Sequence, residues 1–165
     1  MSGTSLKFGT SGLRGLADEL NGLPAYAYSL AFVEMLSKAG KLQKGDKVFV
    51  GRDLRPSSPA IAALCMAAIE DAGFQPVDCG VLPTPALSHF AISQQAPCIM
   101  VTGSHIPDDR NGLKFYRCDG EIDKDDEAAI SAAYDRREPI LFYYWQPAGL
   151  MAKYSFKKLA SAPFN

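Results

Sequence analysis

Apolar residues recur in two alternating patterns: short continuous runs, and longer stretches spaced as one face of a helix. Tyr26, Leu30 and Val33 stand at i, i+4 and i+7, which predicts a helix from about Ala25 to Ala39, ended by Gly40. Val48-Phe49-Val50, after a Gly45-Asp46 turn, predicts a short buried strand. A loop from Gly51 to Arg55 then leads to Ser58 and Pro59, a helix cap followed by proline at the first helical position. Ile61, Leu64, Cys65, Ala68, Ile69 and Ala72 form the apolar face of that helix, and Gly73 closes it. Phe74 to Cys79 predicts a second strand with a turn at Gly80, and Pro83-Thr84-Pro85 opens a helix over about Ala86 to Gln94. Cys98 to Val101 is a continuous apolar strand, and Thr102 to Arg110 a polar loop. Asn111-Gly112 is a tight-turn signal before an alternating strand, Leu113 and Phe115 on one face, Lys114 and Tyr116 on the other. A last helix is predicted from about Lys124 to Tyr134, capped by Asp123.

Helices alternating with short buried strands predict a layered α/β/α domain. The sheet is expected to be mixed and mostly parallel, with a local hairpin at Asn111-Gly112 beside strands joined by crossovers. Residues 6–15 carry glycines at 9, 12 and 15 and read as a short strand entering a loop. Residues 1–135 are expected to form one domain. Residues 136–165 lack clear periodicity and hold the aromatic cluster Phe142-Tyr143-Tyr144-Trp145; they read as a tail or a severed interdomain connection.

Composition narrows the classes. At 47% hydrophobic and 21% charged the chain can bury a core. A formal net charge of -1, with the basic residues scattered, gives no field for nucleic acid or an anionic membrane, so neither is expected as a partner. The four cysteines, at 65, 79, 98 and 118, form no C-x-x-C pair, and the histidines at 89 and 105 do not complete a zinc pattern. Cys65 and Cys98 fall in apolar runs and read as small hydrophobes. No signal segment and no apolar run of about 20 residues is visible, so a reducing, cytoplasmic setting is expected.

Candidate chemistry gathers in loops. Ser104, in Thr102-Gly103-Ser104-His105-Ile106-Pro107, follows a buried strand, where α/β folds commonly place reactive groups. The segment is not a nucleophile elbow, because Thr102 and Ile106 stand where that motif requires glycines. Spacing alone favours an ordinary loop serine over a nucleophile. Gly9 to Gly15 allows close backbone approach to an anion, with Arg14 as a fork of donors, yet a flexible turn reads it equally well. It lacks the Lys-Ser/Thr ending of a P-loop. Arg52 and Arg55 precede a helix N-terminus, and Asp53 and Arg55 read as a local ion pair ordering their loop in preference to an electropositive wall.

In order, Phe8-Gly9-Thr10-Ser11-Gly12-Leu13-Arg14-Gly15, Gly51-Arg52-Asp53-Leu54-Arg55-Pro56-Ser57-Ser58, Pro83-Thr84-Pro85, Thr102 to Pro107 and Asn111-Gly112-Leu113-Lys114-Phe115-Tyr116 resemble the first domain of the α-D-phosphohexomutases, the phosphomannomutase/phosphoglucomutase family. The resemblance covers about residues 6–135. The family's serine loop is usually Thr-Ala-Ser-His-Asn-Pro; Gly103 and Ile106 depart from it here.

The resemblance implies a phosphoserine at Ser104 and exchange of a phosphoryl group between O1 and O6 of a hexose phosphate through a bound 1,6-bisphosphate. It implies Arg14 and Lys114 beside the phosphoserine, assisting proton transfer and charge stabilisation. His105 takes a supporting polar role, and Ser11 helps position a loop. It implies Mg²⁺ bound by the phosphoserine of Ser104 and three aspartates of an Asp-Gly-Asp-x-Asp-Arg loop, which this chain does not contain. Asp108-Asp109-Arg110 and Asp119-Gly120-Glu121 look superficially similar and read as structural. The chain by itself is therefore expected to show little mutase activity. The alternative is a non-catalytic phosphate-binding or interaction module that kept the fold. A severed domain would also expose apolar surface, on which Phe142 to Trp145 are expected to pack, there or on another copy of the chain.

Overall fold

The computed structural model describes residues 4–9 and 12–135. Seven strands lie in one sheet among them: β1 (Lys7–Gly9), β2 (Gly12–Leu16), β3 (Lys47–Arg52), β4 (Gln75–Val81), β5 (Cys98–Val101), β6 (Arg110–Arg117) and β7 (Gly120–Glu121). Five helices accompany them: α1 (Ala17–Leu20), α2 (Leu23–Lys38), α3 (Ser58–Asp71), α4 (Thr84–Ser93) and α5 (Lys124–Asp135). The strand order is β1-β2-β6-β5-β3-β4, with β7 paired to β6.

The α/β class and the mixed sheet are as expected. The predominance of parallel pairing is not: two of the six strand pairings are parallel and four antiparallel. A parallel neighbour needs a crossover helix. Helices join β2 to β3 (α1 and α2), β3 to β4 (α3) and β4 to β5 (α4), and among these strands the parallel neighbours are β3 with β4 and β3 with β5. The chain goes from β5 to β6 through a loop alone, and a loop turns it back antiparallel.

Asn111-Gly112 is a second correction. These residues are not a turn; they lie inside β6, opposite Gly15 and Arg14 of β2. The reversal is made by residues 102–109 instead. Glycine at 112 serves close packing, because a Cβ there would lie 2.6 Å from the Leu13 carbonyl oxygen. Smaller departures occur at the caps. Ser57 takes the N-cap of α3, and Ser58 turns its hydroxyl to Asp53. Gly80 sits within β4, near the point where the β3–β4 register shifts between Val50 and Arg52. Asp123 does cap α5: its Oδ1 accepts from the Asp125 and Asp126 amides, each at 3.0 Å.

Strand alternation divides the core between the two sheet faces. Leu13, Val48, Val50, Ile99, Val101, Leu113 and Phe115 face a large core filled by Phe32, Val33 and Leu36 of α2, Ile61, Cys65 and Ile69 of α3, and Ile130 of α5. Phe32, Ile61, Ile69 and Phe115 are fully buried, each worth about 1.5–3 kcal/mol of transfer free energy. Phe49, Cys98 and Met100 face the other way, onto Leu87 and Ala91 of α4. This second core contains no residue of β1 or β2. The four cysteines are free thiols, and burial pushes Cys65 and Cys98 up to about 12, as befits hydrophobes rather than nucleophiles.

Candidate functional site

β3 and β5 run parallel and end together, so the loops that follow them meet. The Asp53 amide donates to the Val101 carbonyl at 3.0 Å, and the Thr102 amide to the Gly112 carbonyl at 3.0 Å. Between these ties the Asp53 carboxylate gathers four donors. Its Oδ2 accepts from the Thr102 hydroxyl at 2.9 Å and the Gly103 amide at 3.1 Å. Its Oδ1 accepts from the Ser58 hydroxyl at 2.6 Å and the Arg55 amide at 3.1 Å. Burial alone would raise this carboxyl, but the hydrogen bonds outweigh it and hold Asp53 below the usual carboxylate range.

Arg55 completes the ion pair expected from sequence, with Nε 3.4 Å from Asp53 Oδ2. It does more than pair. Nη1 donates to the carbonyls of Pro107 at 2.8 Å and Arg110 at 3.2 Å, and Nη2 to those of Ile106 at 2.6 Å and Ser104 at 3.3 Å. A contact to Asp108 Oδ1 at 3.4 Å adds a rim charge. The side chain is only 11% exposed. Its donors are spent on protein oxygens rather than turned toward an anion in solution.

Ser104 is exposed at the tip of this loop and has a φ of 53°, a left-handed conformation uncommon outside glycine. Its amide donates to Thr102 Oγ1 at 3.0 Å. Its hydroxyl lies 3.5 Å from His105 Nδ1, at the outer limit of a hydrogen bond and too long for a committed base. The loop's backbone groups are tied down, and the hydroxyl projects outward.

Arg14 and Lys114 reach one face of the sheet. Arg14 stands opposite Gly112, and side chains two apart on a strand share a face, so Gly112 and Lys114 lie on Arg14's side. Lys114 stands opposite Met100, on the face away from Leu113 and Phe115, as the alternation predicts. Because Thr102 bonds Gly112, the register brings Arg14, Lys114 and the root of the serine loop to one region. Ser11 lies outside the described residues, as do Phe142 to Trp145 and the whole of 136–165.

Sequence reasoning missed Asn111. It is completely buried; its Nδ2 donates to the Ser57 and Ser58 hydroxyls at 2.8 and 2.9 Å, and its Oδ1 accepts from the Gly112 amide at 2.8 Å. It thereby joins β6 to the start of α3 beneath the serine loop. An Asn-Gly dipeptide reads as a turn, and that reading concealed it. The grip of Arg55 on residues 104–110 was missed too, since nothing in sequence ties residues fifty positions apart.

Among the described residues no group of three or more His, Cys, Asp or Glu could hold a metal ion. Asp53 is committed to its four donors. The donor this region could offer a hard cation is an oxygen on Ser104, were that serine phosphorylated. No helix among the described residues is long and apolar enough to cross a membrane.

Residues 5–140 match the sequence family described as phosphoglucomutase/phosphomannomutase, alpha/beta/alpha domain I. The chain is 59% identical over 126 residues to a phosphomannomutase of Sinorhizobium fredii, covering 76% of this chain and 27% of that protein. It is 36% identical over 127 residues to a phosphoglucosamine mutase of Dictyoglomus turgidum, covering 74% of this chain and 28% of the relative. A crystal structure of a putative phosphomannomutase from Thermus thermophilus superposes with a TM-score of 0.69 at 31% identity, over 81% of this chain and 30% of that one. The chain thus spans between a quarter and a third of the length of these relatives. With a matching sheet-and-helix framework and a sequence match over most of its length, the chain belongs to the phosphoglucomutase/phosphomannomutase family and carries that family's domain I.

Proposed function

We propose that this domain supplies the phosphoryl-carrying serine of a hexose phosphomutase, with Ser104 as the carrier. The observation behind the reading is the serine's setting: an exposed hydroxyl on a left-handed residue, in a loop whose backbone is held by Asp53 and Arg55. Pre-organisation of this kind suits a group that must meet a substrate oxygen in line.

In the forward half-reaction a sugar hydroxyl oxygen attacks the phosphorus on Ser104. The P–O bond to Ser104 Oγ breaks as the new P–O bond forms; the sugar hydroxyl loses its proton and Ser104 Oγ regains one. The reverse half-reaction, from the other sugar oxygen, restores the phosphoserine. Arg14 and Lys114 are the cations of the shared sheet face: the guanidinium offers paired donors to phosphoryl oxygens, and the ammonium point charge stabilises charge or moves a proton. His105, next to the serine, steadies the hydroxyl or its phosphate. Mg²⁺ would neutralise the phosphoryl charge, held through the phosphoserine oxygen together with donors that these residues do not provide. The substrate class is a hexose 1- or 6-phosphate; the relatives named phosphomannomutase and phosphoglucosamine mutase support a sugar phosphate. A cytoplasmic setting, where such phosphates occur, belongs to the same proposal.

Intact mass of the protein purified from cells tests this reading. A single phosphate adduct is expected, absent in Ser104→Ala. An unmodified wild-type mass that stays unmodified with a hexose 1,6-bisphosphate and Mg²⁺ would count against Ser104 and favour a binding module.

A further inference from the structure

We infer that Arg55 is the positioning residue that sets the geometry of Ser104, and that residue 103 is glycine in this chain because the Arg55 guanidinium occupies the space of its side chain. The functional half of this inference rests on the reading of Ser104 as the phosphoryl carrier.

A Cβ built on Gly103 would overlap Nε, Cζ and Nη2 of Arg55. The guanidinium therefore lies directly against the backbone of the residue preceding Ser104. From that seat it takes the carbonyls of Ser104, Ile106, Pro107 and Arg110, so four peptide groups between 104 and 110 turn inward to a single cation. The consequence for Ser104 is specific. Its carbonyl is held by Nη2 and its amide by Thr102 Oγ1, while φ stays at 53°. With both flanking peptide groups held, one side-chain torsion remains to aim the hydroxyl.

Neither residue has a simple substitute. A lysine at 55 would bring one compact ammonium with three donors and no planar fork, too few for this set of carbonyls. An alanine at 103, the residue usual in the resembled motif, would be accommodated only by moving the far end of Arg55. That movement breaks the bonds that orient Ser104. Arg55 and Gly103 are thus one device, and a change at either should have the same local effect.

The test uses the whole chain, labelled with nitrogen-15, as wild type, Arg55→Ala, Arg55→Lys, Gly103→Ala and the Arg55→Ala/Gly103→Ala double variant. Amide shifts and heteronuclear NOEs of residues 103–107 report loop order; intact mass of cell-purified protein reports phosphate on Ser104. In Arg55→Ala and Gly103→Ala these amides should move together and lose order, with the double variant no worse than either single. Ethylguanidinium at millimolar concentration should return the Ser104 amide toward its wild-type shift in Arg55→Ala but not in the double variant, where a methyl group fills the seat. Arg55→Lys should not restore it. Phosphate occupancy should fall by about tenfold or more in both single variants, the scale of loss expected from misplacing a reacting atom. Gly103→Ala adds one methyl group and keeps Arg55, so it gives a reading even if Arg55→Ala does not fold. A wild-type Ser104 amide in Gly103→Ala, or equal rescue with and without that methyl group, would overturn the pairing. Lost loop order with undiminished phosphate would overturn the positioning role. A wild-type protein that cannot be phosphorylated would instead sink the reading of Ser104, while the amide data still decide the Arg55–Gly103 pairing.

Discussion

Arg14 stands directly across the β2–β6 pair from Gly112, close enough that a Cβ on residue 112 would lie 3.2 Å from Arg14 Cγ. The same methyl group would come within 2.6 Å of the Leu13 carbonyl oxygen and 3.1 Å of the Thr102 carbonyl oxygen. Backbone atoms cannot swing away as a side-chain tip can. Gly112→Ala should therefore part the two strands where Arg14 and the serine loop share a wall, and cost about 1–3 kcal/mol of stability, the range for overpacking. Urea unfolding measures that cost. Phosphate occupancy on Ser104 should drop with it, because Arg14 is pushed from its place.

Asp53 makes the serine loop sensitive to acid. Burial raises its carboxyl, but hydrogen bonds from Ser58, Arg55, Thr102 and Gly103 lower it further, so the folded value lies below the unfolded one of about 3.9. A depressed folded value means the stabilisation is fully present above the unfolded value and is lost as pH falls through the folded one. Stability should accordingly be flat down to about pH 4 with respect to Asp53 and decline below it. In Asp53→Asn that component disappears at the cost of lower stability at neutral pH, by about 1–3 kcal/mol for the donors left poorly paired. Glu19, Asp119 and Asp123, themselves exposed, are also lowered by hydrogen bonds, chiefly from Ser5 to Glu19, from Arg117 to Asp119, and from the Asp126 amide and Arg117 to Asp123, so some acid sensitivity will persist in the variant. Thermal unfolding of both proteins between pH 3 and 7 separates these parts, and an unchanged slope in Asp53→Asn would refute the role given to this carboxylate.

Local periodicity carried most elements of the fold. Cys98 to Val101 is a strand with those same ends, and α5 runs from Lys124 to Asp135 with Asp123 at its cap, because apolar runs and capping chemistry act within a few residues. Pairing direction was less legible, since it depends on which strands meet. No local feature states that β6 lies between β2 and β5. The site divides along the same line. Ser104, Arg14 and Lys114 stood out through a resemblance and through alternation. Arg55, read as a partner of Asp53, proved to hold a loop some fifty residues away. Asn111 was hidden because the dipeptide that signals a turn can equally be a buried amide beside a glycine packed tightly against a neighbouring strand.

Asn111 should behave as a buried polar tie. Removing its amide in Asn111→Ala takes the partner from the buried Gly112 amide and strips a donor from the Ser57 and Ser58 hydroxyls. Leaving buried groups unpaired costs about 1–3 kcal/mol, and the lost side-chain volume adds to it. Chemical denaturation should show a lower midpoint with an unchanged slope, as for a native state weakened but not expanded. Hydrogen exchange should quicken first at Gly112 and at the amides that begin α3. Uniform quickening across the sheet would mean that Asn111 does not act locally.

Ser104 itself offers the sharpest separation of stability from function. A non-glycine residue at a φ of 53° carries a steric cost of about 1–2 kcal/mol that glycine does not. Ser104→Gly and Ser104→Ala both delete the hydroxyl, so neither can hold a phosphate. They should differ in stability nonetheless. The glycine variant escapes the left-handed penalty but gains freedom in the unfolded chain, and these oppose each other. Where the native backbone is incompatible with a Cβ the first effect is the larger. Ser104→Gly is therefore expected to unfold at higher urea than Ser104→Ala, by a margin of about 1 kcal/mol. Equal midpoints would mean that residue 104 is not held left-handed in solution, and the rigid presentation of its hydroxyl would then lose its structural basis.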